Sequence, residues 1–138
     1  MAAISPNGRF IAAAAFTADV KVWEILYTKD GSVKEVTKVM QLNGHKSAVK
    51  WLCFTPNSDR VITTSKDGSM RIWNINVAFV LKLERFWTRR RKLADGDITG
   101  LCWTPSSIPI GEGKGIVLAT AGVDKKVKLW AAPALQNS

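Results

Sequence analysis

The sequence predicts an all-β chain of about three repeated units of short antiparallel strands. Two observations carry this. The runs Val20-Lys21-Val22-Trp23, Met70-Arg71-Ile72-Trp73 and Val127-Lys128-Leu129-Trp130 are copies of one another, and each follows a turn opened by Pro6, Pro56 or Pro105. The proline-to-tryptophan distance is 17 positions in the first two copies and 25 in the third. Between these marks, short runs of alternating apolar and polar residues are separated by turn signals such as Pro6-Asn7-Gly8, Asp30-Gly31 and Asp67-Gly68, the pattern of strands joined by tight turns. Repetition at this period means a radial or a solenoid architecture.

The first unit, 1–43, carries strands at Phe10 to Ala14 and Val20 to Ile25, after a first strand with little room before Pro6. Val33 to Val36, continuing into Val39-Met40, reads as its outer strand. The second unit, 44–93, is the fullest. Gly44-His45 opens it, Phe54-Thr55-Pro56-Asn57 follows its first strand, and Asp67 stands six positions before Trp73. Ala48 to Phe54, Arg60 to Thr64 and Ser69 to Ile75 are its strands. Met70 and Ile72 alternate with Arg71 and Trp73, so one face carries both a cation and an indole.

These marks, in this order, resemble a WD40 repeat. The resemblance implies a partial WD40 β-propeller of about three four-stranded antiparallel blades, and Ala48 to Phe54 becomes an innermost strand covered on both faces. It also implies a hydrogen-bonded chain of Trp73, Thr63, His45 and Asp67 that fixes the blade internally. A blade takes ~40–45 residues and a ring ~4–8 blades, so the ring is not closed and the chain reads as part of a longer propeller. In the first unit the aspartate position holds Thr17, with Asp19 nearer the tryptophan, and alanines replace the hydroxyl residue.

The third unit, 94–138, keeps Thr120, Asp124 and Trp130 at matching spacing, but Ala94 stands where the histidine would be. Its extra length falls around Ile108 to Gly115 and reads as a lengthened turn. The stretch from Val77 to Ala94 fits either an outer strand or a helical stripe.

Charge and cysteines bound the function. Twenty basic and 11 acidic residues give +9, which points to acidic partners, nucleic acid or an anionic membrane surface. Cys53 and Cys102 occupy equivalent places on separate strands, so they read as two buried thiols in a reducing compartment and not as a disulfide. No apolar run reaches the ~18 residues of a membrane span. Phe10 to Phe16 resembles a short signal core, but its match to Val61 to Ser65 makes it a strand.

His45, the only histidine, has no Ser-His-Asp spacing or Cys/His cluster around it. The expectation is a structural histidine, with no enzyme activity, cofactor, metal or small-molecule substrate. WD40 propellers are platforms for protein partners. The resemblance sets Lys46, Lys66, Lys125 and Lys126 on one rim, to receive an acidic protein or peptide; the competing reading is lysines serving solubility. Arg89, Arg90, Arg91 and Lys92, beside Phe86 and Trp87, are either a solvated loop or an RNA- or anionic-membrane-binding run. Within the family, the segments GHKSAVKWLCFTPNS and ATAGVDKKVKLW are similar to its transducin beta-like members. With the reducing compartment read from the thiols, that likeness implies an intracellular chain, cytoplasmic, or at the cytoplasmic face of the endoplasmic reticulum if the full-length parent is anchored there.

Overall fold

The computed structural model describes residues 1–75, 98–104, 108–111 and 113–131. Among these residues there are strands and turns and no helix. β1 (Ala2–Ile4), β2 (Phe10–Ala13), β3 (Val20–Tyr27) and β4 (Val33–Leu42) form a four-stranded antiparallel sheet in chain order. β5 (Val49–Phe54), β6 (Arg60–Ser65) and β7 (Met70–Asn74) form the second, again in chain order. β8 (Ile98–Trp103) begins the third. The next two strands, β9 (Ile108–Ile110) and β10 (Gly113–Gly115), pair only with each other, so the third sheet is completed by β11 (Val117–Gly122) and β12 (Val127–Ala131).

One expectation changes here. The extra length of the third unit is a small antiparallel hairpin of its own, β9 and β10, and not merely a longer turn. Its Ile-Pro-Ile and Gly-Lys-Gly strands are short and none of their residues is buried, as befits a ribbon with an edge in water. Among the described residues the first sheet has four strands and the second and third have three each; the stretch Val77 to Ala94, where the second unit's outer strand is expected, lies outside the described residues.

The sheets stack because each strand sends alternate side chains to opposite faces. On β6, Val61 packs toward the first sheet with Phe10, Ala12, Val22 and Trp73. Its neighbour Ile62 packs toward the third with Ile98, Leu101 and Leu118. The middle sheet is thus covered on both sides, and residues 61–65 are buried without interruption. Two hydrogen bonds from backbone amides stitch the first two sheets: the Val49 amide donates to Thr17 O at 2.9 Å, and the Asn7 amide to the Ser58 hydroxyl oxygen at 3.1 Å. The described sheets follow one another as part of a propeller whose ring is not closed.

The innermost strand is less covered than expected. The β5–β6 pairing shifts between Val49 and Trp51, a bulge that adds a residue on one side of the ladder. Trp51 consequently stands 38% exposed. Cys53 is half-buried against the third sheet, whereas Cys102 is exposed, which corrects the reading of two buried thiols. The difference is positional: the face carrying Cys53 has a sheet stacked on it, and the face carrying Cys102 has none among the described residues.

Candidate functional site

The densest polar arrangement lies where the Gly44-His45 loop, between β4 and β5, crosses the middle sheet. β6 and β7 pair Thr63 with Arg71 and Val61 with Trp73, so Thr63 and the Trp73 indole share one face. Trp73 Nε1–H donates to Thr63 Oγ1 at 2.8 Å, and His45 Nε2 lies 2.7 Å from the same oxygen. On the other side of the ring, His45 Nδ1 is 3.0 Å from Ser69 Oγ and 3.4 Å from Asp67 Oδ2. Ser69 Oγ–H donates to Asp67 Oδ1 at 2.5 Å.

One assignment of protons satisfies every member. The indole donates to the Thr63 hydroxyl, which donates to His45 Nε2; His45 Nδ1–H then donates to Ser69, and Ser69 to Asp67. That assignment requires a neutral imidazole with its proton on Nδ1. Burial, the largest influence, holds His45 below the ordinary histidine value; Asp67 opposes this, and the Arg71 charge adds to it. For Asp67, desolvation is the largest single influence and raises its pKa. Hydrogen bonds from the Ser69 hydroxyl and from the Lys46 and Ser69 amides outweigh it, with His45 adding to them, and leave the carboxyl at about 2. Its backbone stands out on the turn while its side chain is only 13% exposed.

The residues singled out from sequence, Trp73, Thr63, His45 and Asp67, therefore meet in space, but through a fifth member. Ser69 was missed. Its signal was present, since a serine two positions after an aspartate in Asp67-Gly68-Ser69 is the pattern of an aspartate that bonds its own turn; the Ser69 amide donates to Asp67 Oδ1 at 2.8 Å. Arg71 stacks over Trp73, its guanidinium carbon 5.9 Å from the ring centre. Gly44 leaves room for that stack: a Cβ there would displace the Arg71 guanidinium, and its φ of 155 is one that side-chain-bearing residues rarely adopt.

The third sheet holds half of the arrangement. Trp130 Nε1–H donates to Thr120 Oγ1 at 3.0 Å. Asp124 instead holds its own turn, accepting the Lys126 amide at 3.1 Å and lying 4.0 Å from the Lys128 ammonium. Ala94 is outside the described residues. In the first sheet Thr17 bonds the Asp19 carbonyl, and Asp19 receives the Gln41 amide at 3.0 Å.

Lys46, Lys66, Lys125 and Lys126 are exposed. Their backbone amides are all held: Lys46 by Asp67, Lys66 by Ala48 O, Lys125 by Gly122 O and Lys126 by Asp124. The Arg89–Lys92 run lies outside the described residues. No group of three or more His, Cys, Asp or Glu that could hold a metal is present among the described residues.

Residues 36–74 match the family model "WD domain, G-beta repeat". This stretch is a WD40 repeat. It contains β5, β6, β7 and the whole polar chain from Gly44 to Trp73. The chain is also 41% identical over 85 residues to "Transducin beta-like protein 2" of Homo sapiens, covering 62% of this chain and 19% of that protein. The Mus musculus protein of the same name is 40% identical over 78 residues, covering 56% and 18%. "Probable cytosolic iron-sulfur protein assembly protein 1" of Chaetomium globosum is 32% identical over 108 residues, covering 71% and 24%. The chain thus spans about a fifth of the length of the first curated relatives it matches. WD40 repeats serve in general as scaffolds for protein interaction and are typically non-enzymatic.

Proposed function

We propose that this chain is a non-enzymatic WD40 adaptor that receives an acidic protein segment on the turns bearing Lys46, Lys66, Lys125 and Lys126. The observation that carries this reading is the pairing of fixed backbone with exposed side chain at all four lysines. A turn already ordered loses little entropy when a partner docks, and exposed like charges raise the encounter rate with an acidic one. Lys125 adds a second argument. It occupies the left-handed region, φ 60, at the turn position where the second sheet has Gly68, φ 77. Left-handed backbone costs a side-chain-bearing residue roughly 1–2 kcal/mol, and such strain is retained where the residue has a task. Two free thiols, Cys53 and Cys102, fit an intracellular, reducing setting for that partner.

The test uses a fluorescein-labelled hexaglutamate peptide and the whole chain, read by anisotropy. Binding that weakens with salt and is lost when the four lysines are changed to glutamate, at an unchanged unfolding midpoint, supports the reading. Undiminished binding in that variant overturns it. Loss on neutralising Arg89 to Lys92 alone moves the site to that segment and to an RNA or membrane ligand.

A further inference from the structure

At four places among the described residues a glycine directly follows an asparagine or aspartate: Asn7-Gly8, Asp30-Gly31, Asn43-Gly44 and Asp67-Gly68. In three of them the glycine amide is tied back into its own turn, Gly8 to Ser5 O at 2.8 Å, Gly31 to Thr28 O and Gly68 to Ser65 O at 3.0 Å each. The Gly44 amide has no hydrogen-bond partner among the described residues. The two asparagines differ in the same way. Both are exposed, but the Asn7 side-chain oxygen accepts from the Ser5 hydroxyl at 2.7 Å and from the Arg9 amide at 3.0 Å. Among the described residues no hydrogen bond holds the Asn43 side chain.

An asparagine before glycine carries its own reaction, because a following residue without Cβ lets its amide nitrogen approach the side-chain carbonyl carbon. The Gly44 nitrogen bonds to Asn43 Cγ, the Cγ–Nδ2 bond breaks, and the amide group leaves with the Gly44 proton as ammonia. One water then opens the five-membered imide. Addition at Cγ gives aspartate, whereas addition at the main-chain carbonyl leaves Gly44 joined through the side chain, as isoaspartate. Either product turns a neutral amide into a carboxylate. A glycine amide already donating, as in Gly8, must first break away by local opening.

We propose that Asn43-Gly44 is a site of spontaneous deamidation, and that its isoaspartyl product unseats His45. Both ends of this loop are fixed: buried Leu42 pairs with Val20 at the end of β4, and His45 is held between Thr63 and Ser69. Only Asn43 and Gly44 span the gap. Isoaspartate lengthens that span by one C–C bond, about 1.5 Å. The added length finds no room inward, since a single Cβ on Gly44 already meets the Arg71 guanidinium and the Trp73 ring. The loop bows outward, and His45, attached directly to it, is drawn off the Thr63 hydroxyl.

The test compares the whole chain, folded and unfolded in urea, during incubation in mildly alkaline buffer. Trypsin cleavage after Arg9, Lys38 and Lys46 releases residues 1–9 and 39–46, each with one Asn-Gly pair. Mass spectrometry reads the gain of about one mass unit. Folding is expected to slow Asn7 roughly tenfold or more, and Asn43 by no more than about threefold. Equal slowing at the two sites overturns the proposal, as does an Asn43 that reacts only after unfolding. Isoaspartyl chains, separated by ion exchange, are expected to unfold at lower urea than the parent. Asn43→Asp, which brings the charge at normal chain length, is expected to keep the parent's midpoint. An isoaspartyl chain as stable as the parent overturns the link to His45, and so does an equal loss in Asn43→Asp.

Discussion

Thr63→Val tests the buried polar chain directly. The change keeps the shape of the side chain and removes one oxygen, but that oxygen serves two buried neighbours, the Trp73 indole N–H and His45 Nε2. Thr63 and Trp73 are 0% and 1% exposed, so water cannot replace it. Leaving a buried donor or acceptor unpaired costs ~1–3 kcal/mol each. The indole and imidazole can relax toward one another, so the expected loss is about 2–4 kcal/mol, a large part of a domain's ~5–15 kcal/mol. The next residue supplies the control. Thr64 is equally buried, on the opposite face, and its hydroxyl has no hydrogen-bond partner among the described residues. Thr64→Val removes an unpaired polar atom and is expected to be neutral or stabilising by up to ~1 kcal/mol. Both variants are read by urea denaturation followed by tryptophan fluorescence. Refutation would be a Thr63→Val loss no larger than that of Thr64→Val.

Three further outcomes follow from the same geometry. Stability is expected to fall as pH drops from 7 toward 5, because the unfolded chain takes up a proton near the ordinary histidine value of 6.5 while folded His45 resists it. Asp67 adds a second loss as pH falls from 3.8 toward about 2; denaturation midpoints across pH measure both, and His45→Gln is expected to flatten only the first. Gly44→Ala is expected to cost about 1 kcal/mol or more, since its Cβ displaces Arg71 from the Trp73 face; an unchanged melting temperature would contradict this. Lys125→Gly is expected to stabilise the chain by roughly 1 kcal/mol through relief of the left-handed backbone while weakening hexaglutamate binding, by thermal melts and anisotropy together.

Strand positions were legible because their causes are local. Alternation on β7 and the turn at Asp67-Gly68 are written in consecutive residues, and the strand runs proposed at 10–14, 20–25, 60–64 and 69–75 each correspond to a strand. The β9–β10 hairpin was not legible, since glycine and proline mark a turn as well as they mark a short ribbon. Ser69 was hidden for a different reason: its position in the repeat was visible, but its reach to His45 depends on how the Gly44-His45 loop folds back over β7.

By itself, then, the sequence determined the repeat, the antiparallel sheets and which side chains share a face, because a strand's two-residue period converts order directly into sidedness. Only the tertiary structure decided which faces are covered. Cys53 and Cys102 occupy identical repeat positions, yet one is half-buried and the other exposed, because burial depends on the neighbouring sheet and not on the strand that carries the residue. The same holds for the proton order through His45: the residue types permit several arrangements, and pairing every buried group across the observed distances to Thr63 and Ser69 favours a neutral ring with its proton on Nδ1.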